Sequence, residues 1–332
     1  MLWIEKYRPS TLGEVAGQEL VVRHLRRFAA TRSVPHLLVT GPHGTGKSAA
    51  VECLARELYG ANWQGNTTVL DATTLFSQGK SALAADERFA HLFRKDEGLA
   101  ANFRRIVGWY ASMRPLEAEF KLLVIEGAHS LPREIQQALR RTLERHSATC
   151  RFILLTTNQS AIIPAIGSRC LPLSFSPVDG ETALGVLGRI LDAEAPGRRK
   201  DLGEEVEMIV HTAAGDLRKA TVLLQLLVES GKGAGTADAG CSETGNIALQ
   251  LVRSMRAGDF AVAQKTAESL LIDYGLSGRE TIHEIRGAVK QEYNDPRIAV
   301  IIGEADRALD RAGNDFIQVN ALIARIIGEV FT

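Results

Sequence analysis

Four apolar runs of strand length stand out along the chain: HLLVT at 36–40, TTVL at 67–70, KLLVI at 121–125 and RFILLTT at 151–157. Each is bounded by polar or turn-forming residues and is too short for a buried helix. A fifth strand-like run, LPLSF, follows at 171–175. The segments between them space their apolar residues at helical intervals, so strands alternate with helices. That alternation predicts a parallel sheet covered on both faces, a doubly wound α/β domain over residues 1–174. From 175 to 230 the strand signal is gone, and short helices end in the apolar-periodic KATVLLQLLVES. Residues 231–245, GKGAGTADAGCSETG, read as a linker. An all-helical domain is predicted over 246–332, with turn signals at 274–278, 293–296 and 311–315. The stretch from Asp71 to Phe103 has weak pattern and mixed charge and reads as an excursion from the sheet. Trp109 and Tyr110, late in a helix expected to pack on the sheet, read as core aromatics rather than as a base-stacking pair.

Composition narrows the class. At 332 residues, 45% hydrophobic and 23% charged, the chain has the make-up of a globular protein of two or three domains. No apolar run reaches the ~18 residues of a membrane span, and the opening MLWIEKYRPS lacks the apolar core of a secretory signal. A soluble, non-secreted protein without a membrane partner is expected. The four cysteines (Cys53, Cys150, Cys170, Cys241) are scattered, which argues against a disulfide framework or a zinc ribbon. Net charge is zero, yet residues 1–174 hold 22 of the 39 Lys and Arg against 15 of the 39 Asp and Glu. A basic front half suits a phosphate-bearing partner, although a solvated face of this charge is equally ordinary.

The sharpest motif follows the first strand directly. Gly41, Pro42, His43, Gly44, Thr45, Gly46, Lys47 and Ser48 match G-x-x-x-x-G-K with a hydroxyl residue at the end. Glycines let backbone N–H groups curl around phosphate oxygens, Lys47 brings an ammonium to the β/γ-phosphates, and Ser48 offers a hydroxyl to Mg²⁺. The helix opening at Gly46 adds the positive end of its dipole. ATP with Mg²⁺ is therefore the expected ligand. A P-loop ATPase also needs an acidic residue on a neighbouring strand for the metal and a carboxylate that orients the attacking water. Only KLLVIEGAHSL (121–131) has the right character. Glu126 stands in the metal position, while Gly127 has no side chain to act as a base.

With these residues in view, the chain resembles the clamp-loader AAA+ ATPases, most closely the small subunits of replication factor C. The opening Trp3-Ile4-Glu5-Lys6-Tyr7-Arg8-Pro9, followed by Leu12, Val15, Gly17 and Gln18, is similar to that family's adenine-side segment. Ser168-Arg169-Cys170 resembles the motif whose arginine reaches into a neighbouring subunit's ATP site. Thr156-Thr157-Asn158 stands at the sensor 1 position, and Gly215-Asp216-Leu217-Arg218 resembles sensor 2. Tyr274 to Gly278 and Gly313 to Gln318 are similar to collar motifs.

The resemblance implies a nucleotide-binding domain, a helical lid at 175–230 and a collar at 246–332. It implies a nucleotide site of Tyr7, Arg8, Pro9, Val15, Gln18, the 41–48 loop, Glu126, Asn158 and Arg218, with Ser48 and Glu126 toward Mg²⁺. Arg169 would act in trans, so other clamp-loader subunits are implied as partners in a hetero-oligomer, pentameric in this family. A sliding clamp and primer–template DNA would be the remaining partners. Arg104, Arg133 and Gln136 match places where the family tracks DNA phosphates, with Arg105 adjacent; Arg104 and Arg105 equally suit a solvated helix face. The setting would be an archaeal cytoplasm, or the nucleus for a eukaryotic chain. Two departures stand out. Glu126-Gly127-Ala128-His129 replaces the family's Asp-Glu-Ala-Asp, which predicts impaired hydrolysis in the chain's own site, and the stretch after Asp71 is longer than usual. A fully active ATPase subunit and a non-catalytic scaffold subunit stay open as alternatives.

Overall fold

A computed structural model describes residues 1–80, 88–199, 201–230, 243–293, 295–309 and 314–331. They form two compact units, Met1–Glu229 and Ser230–Thr332. The expected division after residue 174 lies inside the first unit. The expected linker lies outside the described residues, except that 243–245 open a helix.

The first unit is built on five parallel strands: β1 (Leu37–Thr40), β2 (Thr67–Asp71), β3 (Lys121–Glu126), β4 (Cys150–Thr156) and β5 (Leu171–Ser174). Their order is β2-β3-β4-β1-β5. Strand periodicity sends alternate residues to opposite faces. Leu38, Leu123, Ile125, Phe152 and Leu154 pack with Phe103, Ile106, Ile135 and Leu139 of the helices Leu99–Ser112 and Arg133–Arg145. Leu37, Val39, Leu122, Val124 and Leu155 pack on the other face with Leu25, Val51, Leu54 and Leu58. Because both faces are covered, β1 is apolar at successive positions rather than alternating, as a central parallel strand requires. Tyr110 is buried in this core with its hydroxyl donating to the Leu122 carbonyl at 3.1 Å, and Trp109 packs at the edge. Both are core aromatics, as expected.

Three helices, Gly180–Glu194, Gly203–Ala213 and Leu217–Ser230, enclose a separate small core. Trp3, from the far end of the sequence, fills it alongside Leu187, Ile190, Leu224 and Leu227. Its backbone N–H donates to Gln225 Oε1 at 2.9 Å, while Tyr7 and Lys6 each reach Glu194 at 2.6 Å. Short helices offer little apolar area, and the Trp3 indole adds to what they bury.

His36 ties the sheet to a helix end. Its Nδ1 accepts the Phe152 N–H at 3.0 Å and its Nε2 donates to the Leu143 carbonyl at 3.1 Å, a pattern only the neutral ring can make. Burial holds its pKa below the usual value, with the nearby Arg151 charge acting in the same sense. The native state therefore binds fewer protons than the unfolded chain below about pH 6.5, so this contribution is intact above that pH and lost as pH falls toward the lower folded pKa. Wild-type melting temperature should drop more steeply between pH 7.5 and 5.5 than that of His36→Gln; parallel curves would refute it.

The second unit packs five helices, Glu243–Arg256, Phe260–Ile272, Gly278–Glu292, Pro296–Leu309 and Asp315–Ile326, around Leu251, Met255, Ile285, Ile301 and Leu322. The 274–278 signal resolves into a capping box between Ser277 and Glu280. Gly278 N–H donates to Asp315 Oδ2 at 2.7 Å, so the two collar-like motifs meet, apart from Gly313, which lies outside the described residues. Among the described residues, no helix is long and apolar enough to cross a membrane.

Candidate nucleotide site

The C-terminal ends of β1, β3 and β4 open onto a cavity of about 750 Å³, the position where open α/β sheets bind ligands. The 41–48 loop leaves β1 with Gly41, Gly44 and Gly46 at φ of 143°, 66° and 91°, a left-handed series that gathers successive N–H groups into an anion nest. A Cβ on Gly41 would stand 2.3 Å from the Phe175 carbonyl oxygen, and one on Gly44 would overlap the Asp216 carboxylate at 1.6 Å. The loop thus packs against the end of β5 and the start of the helix Leu217–Ser230, and Leu217 N–H donates to the Gly44 carbonyl at 3.2 Å. Asp216 itself caps that helix by accepting from Lys219 N–H at 2.9 Å.

Lys47 opens the helix Lys47–Tyr59 and donates its ammonium to the carbonyls of Gly41, at 2.8 Å, and Pro42. Burial lowers its pKa, and the carboxylates of Asp216 and Glu126 oppose that shift. Ser48, His43, Thr45 and Arg218 line the same cavity, as do Tyr7, Arg8, Pro9 and Val15. Arg8 is anchored to Glu52 at 2.9 Å.

Gly41, Pro42, Gln18 and Asn158 do not line the cavity. Gly41 and Pro42 lie behind it as acceptors for Lys47. Gln18 is buried and clamps Ser176 with two hydrogen bonds, which fixes the chain leaving β5. Asn158 is exposed and caps the following turn through Ser160 N–H and Oγ at 3.1 and 2.6 Å; β4 instead presents Thr156 and Thr157.

On β3, Glu126 lies in register with Asp71 of β2, and both carboxylates line the cavity. Gly127 takes φ 61°, and a Cβ there would stand 2.0 Å from Thr73 Oγ1. A hydroxyl from the helix Ala72–Gln78 therefore fills the space where a side chain at 127 would begin. Sequence reasoning missed Asp71 and Thr73. The signal was D-A-T-T, an N-cap pattern: Asp71 accepts from Thr73 N–H at 2.9 Å and Thr74 N–H at 3.3 Å. His129 faces the cavity 3.3 Å from Thr156 Oγ1.

For Mg²⁺ the donor set fits only in part. Among the described residues, no group of three His, Cys, Asp or Glu could hold an ion by itself. Ser48, Glu126 and Asp71 are oxygen donors of the kind that share Mg²⁺ with phosphates and water.

Two residues expected to contact DNA are engaged within the protein instead. Gln136 is buried; its Nε2 donates to the Leu131 and Ala161 carbonyls and its Oε1 accepts from Ile163 N–H, so the amide is consumed inside the protein. Arg105 turns inward to the Leu92 carbonyl, Asn102 and Glu97, because the 89–98 segment offers it acceptors. Arg104 is half-exposed and pairs with Glu134 at 3.5 Å, and Arg133 is exposed in the first turn of its helix. Arg169 lies outside the cavity and is held by Glu144 at 2.5 Å. Burial raises the neighbouring Cys170 thiol to about 11, which leaves it unreactive at neutral pH.

A five-stranded parallel sheet with a P-loop at the end of β1, an acidic residue closing β3 and Arg218 of the helix Leu217–Ser230 facing the same cavity defines an AAA+ nucleotide-binding protein. The family model described as DNA polymerase III, delta subunit matches residues 17–179, and that of the Replication factor C C-terminal domain matches 246–325. Proteins named Replication factor C small subunit from Methanocella arvoryzae and Staphylothermus marinus are each 34% identical, covering 97% and 98% of this chain and 95% and 94% of their own lengths. The chain belongs to the replication factor C small-subunit family. The fold is shared with the Aeropyrum pernix ORC1 protein, solved in complex with DNA (TM-score 0.54, 16% identity, 97% of this chain and 85% of that one). It is also shared with a mutant of Thermotoga maritima RuvB (TM-score 0.50, 16% identity, 89% of this chain and 91% of that one).

Proposed function

We propose that this chain is the ATP-holding small subunit of a hetero-pentameric clamp loader. It binds ATP with Mg²⁺, hydrolyses it slowly if at all, and lends Arg169 to a neighbouring subunit. The assembly opens a sliding clamp and sets it on primer–template DNA in an archaeal cytoplasm, with Arg133 and Arg104 as this chain's phosphate contacts. Lys47 and Arg218 grip the phosphates, Tyr7 to Pro9 and Val15 line the base end, and Ser48 with Glu126 would hold Mg²⁺, whose charge would offset that of the bound phosphates.

The observation that supports slow hydrolysis is the left-handed Gly127 against Thr73. Losing a general base costs ~10²–10⁴ in rate. The cavity does hold a second carboxylate, Asp71, which favours the alternative of an active site, but its oxygens are occupied by the cap on Thr73 and Thr74. The test is single-turnover hydrolysis in a reconstituted complex whose other P-loop lysines are replaced. ATP in this site should turn over at least ~100-fold more slowly than in a companion site with both carboxylates. Gly127→Glu should not restore it, since the new side chain meets Thr73 and a strained backbone. Turnover at the companion rate would establish the active-site alternative.

A further inference from the structure

Arg169 does not hang free from its turn. Its Nε donates to Glu144 Oε1 at 2.5 Å, with Nη2 in ion-pair contact with the same oxygen, and its Nη1 donates to the Ala165 carbonyl at 2.8 Å and Ser168 Oγ at 3.2 Å. Glu144 occupies an otherwise poor place, the last turn of the helix Arg133–Arg145, where the dipole disfavours a carboxylate. Its own-helix partner Arg140 is only loosely engaged at 3.9 Å.

Both ends of this pair are anchored in one core. Leu143, beside Glu144, is fully buried, as is Ile166 in the short helix Pro164–Gly167 that precedes Arg169. We infer that Glu144 is a positioning residue for Arg169. Resting on the proposal that Arg169 acts on a neighbour's nucleotide, it fixes the guanidinium plane before the subunits meet. The geometry supports holding rather than parking. Glu144 takes the side edge formed by Nε and Nη2, while the Nη1 end makes only neutral contacts, and those are the ones a phosphate can displace. A long side chain held in one orientation lends its charge to a transition state without reorganising.

The test is a double-mutant cycle in the reconstituted loader with clamp and primed DNA, using Glu144→Gln, Arg169→Ala and the pair. Glu144→Gln should lower kcat for ATP by about tenfold, less than the ~100-fold cost of a full 1 Å misplacement, with KM unchanged. The double variant should be no slower than Arg169→Ala alone. Nucleotide affinity of the single subunit, measured by calorimetry, reports whether Glu144→Gln is folded. An unchanged or raised kcat in Glu144→Gln would overturn the proposal, the raised rate marking a parked arginine. So would an equal loss in the Arg169→Ala background, which would mark a structural effect elsewhere. An unchanged rate in Arg169→Ala alone would sink the trans-acting role itself, and the positioning role with it.

Discussion

Lys47→Ala is expected to leave the first unit folded and to remove most of its nucleotide affinity. The ammonium sits half-buried against the carbonyls of Gly41 and Pro42, so the loop already bears the cost of desolvating that charge. A triphosphate offers a far better acceptor than two neutral carbonyls. Truncating one member of a buried, charged hydrogen-bonded pair costs about 2–5 kcal/mol, which is roughly 30- to several thousand-fold in affinity. The fold should tolerate the change, because Lys47 opens its helix and the helix is held from its other side by the buried Ala50, Val51 and Leu54. Calorimetric titration of the isolated chain with ATP and Mg²⁺ reads the effect. An affinity within threefold of wild type would place the ligand outside the P-loop.

How much of this site was visible beforehand depended on whether backbone or neighbours set the role. The 41–48 loop was legible because its function is carried by local residue types: glycine for left-handed φ, lysine and serine for phosphate and metal. Strands β1 to β4 were legible for the same reason, as short apolar runs need no partner to be recognised. Gln136 and Arg105 misled because a polar residue on a helix looks alike in sequence whether it faces solvent or folds inward. Only the packing brings Ala161 and Ile163 within reach of Gln136, and Leu92 and Glu97 within reach of Arg105. Asn158 is a subtler case. The motif marks the right strand end, but the asparagine spends its side-chain oxygen on Ser160, and the threonines before it face the cavity. The D-A-T-T pattern marks Thr73 as part of a cap, but its closeness to Gly127 was beyond reach, since it is a long-range contact near the ends of two paired strands. Trp3 shows the same limit at larger scale. Its burial among the helices of residues 180–230, from the far side of the sheet in sequence, cannot be read from the segment that carries it.

Arg169→Ala should reduce ATP hydrolysis by the assembled loader far more than Glu126→Ala does. In the proposed division of labour the two residues serve different nucleotides. Glu126 faces this chain's own cavity, where the position that would orient water is a glycine closed off by Thr73, so on the proposed reading there is little turnover there to lose. Arg169 lies outside that cavity, on a turn after the short helix Pro164–Gly167, with its guanidinium held at the surface. An arginine supplied to a phosphoryl-transfer site is worth ~10³–10⁵ in rate. Each neighbour that depends on this arginine should lose activity on that scale, and total ATPase should fall to whatever sites use other fingers. Glu126→Ala should instead weaken metal-dependent nucleotide retention in this subunit, with total turnover near wild type. Steady-state ATPase with clamp and primed DNA, paired with nucleotide occupancy of this site, separates the two outcomes. Should Glu126→Ala prove the more damaging change, this chain turns over its own ATP, and Thr73 beside Gly127 is no obstacle to a base supplied from elsewhere, with Asp71 the nearest carboxylate on a paired strand.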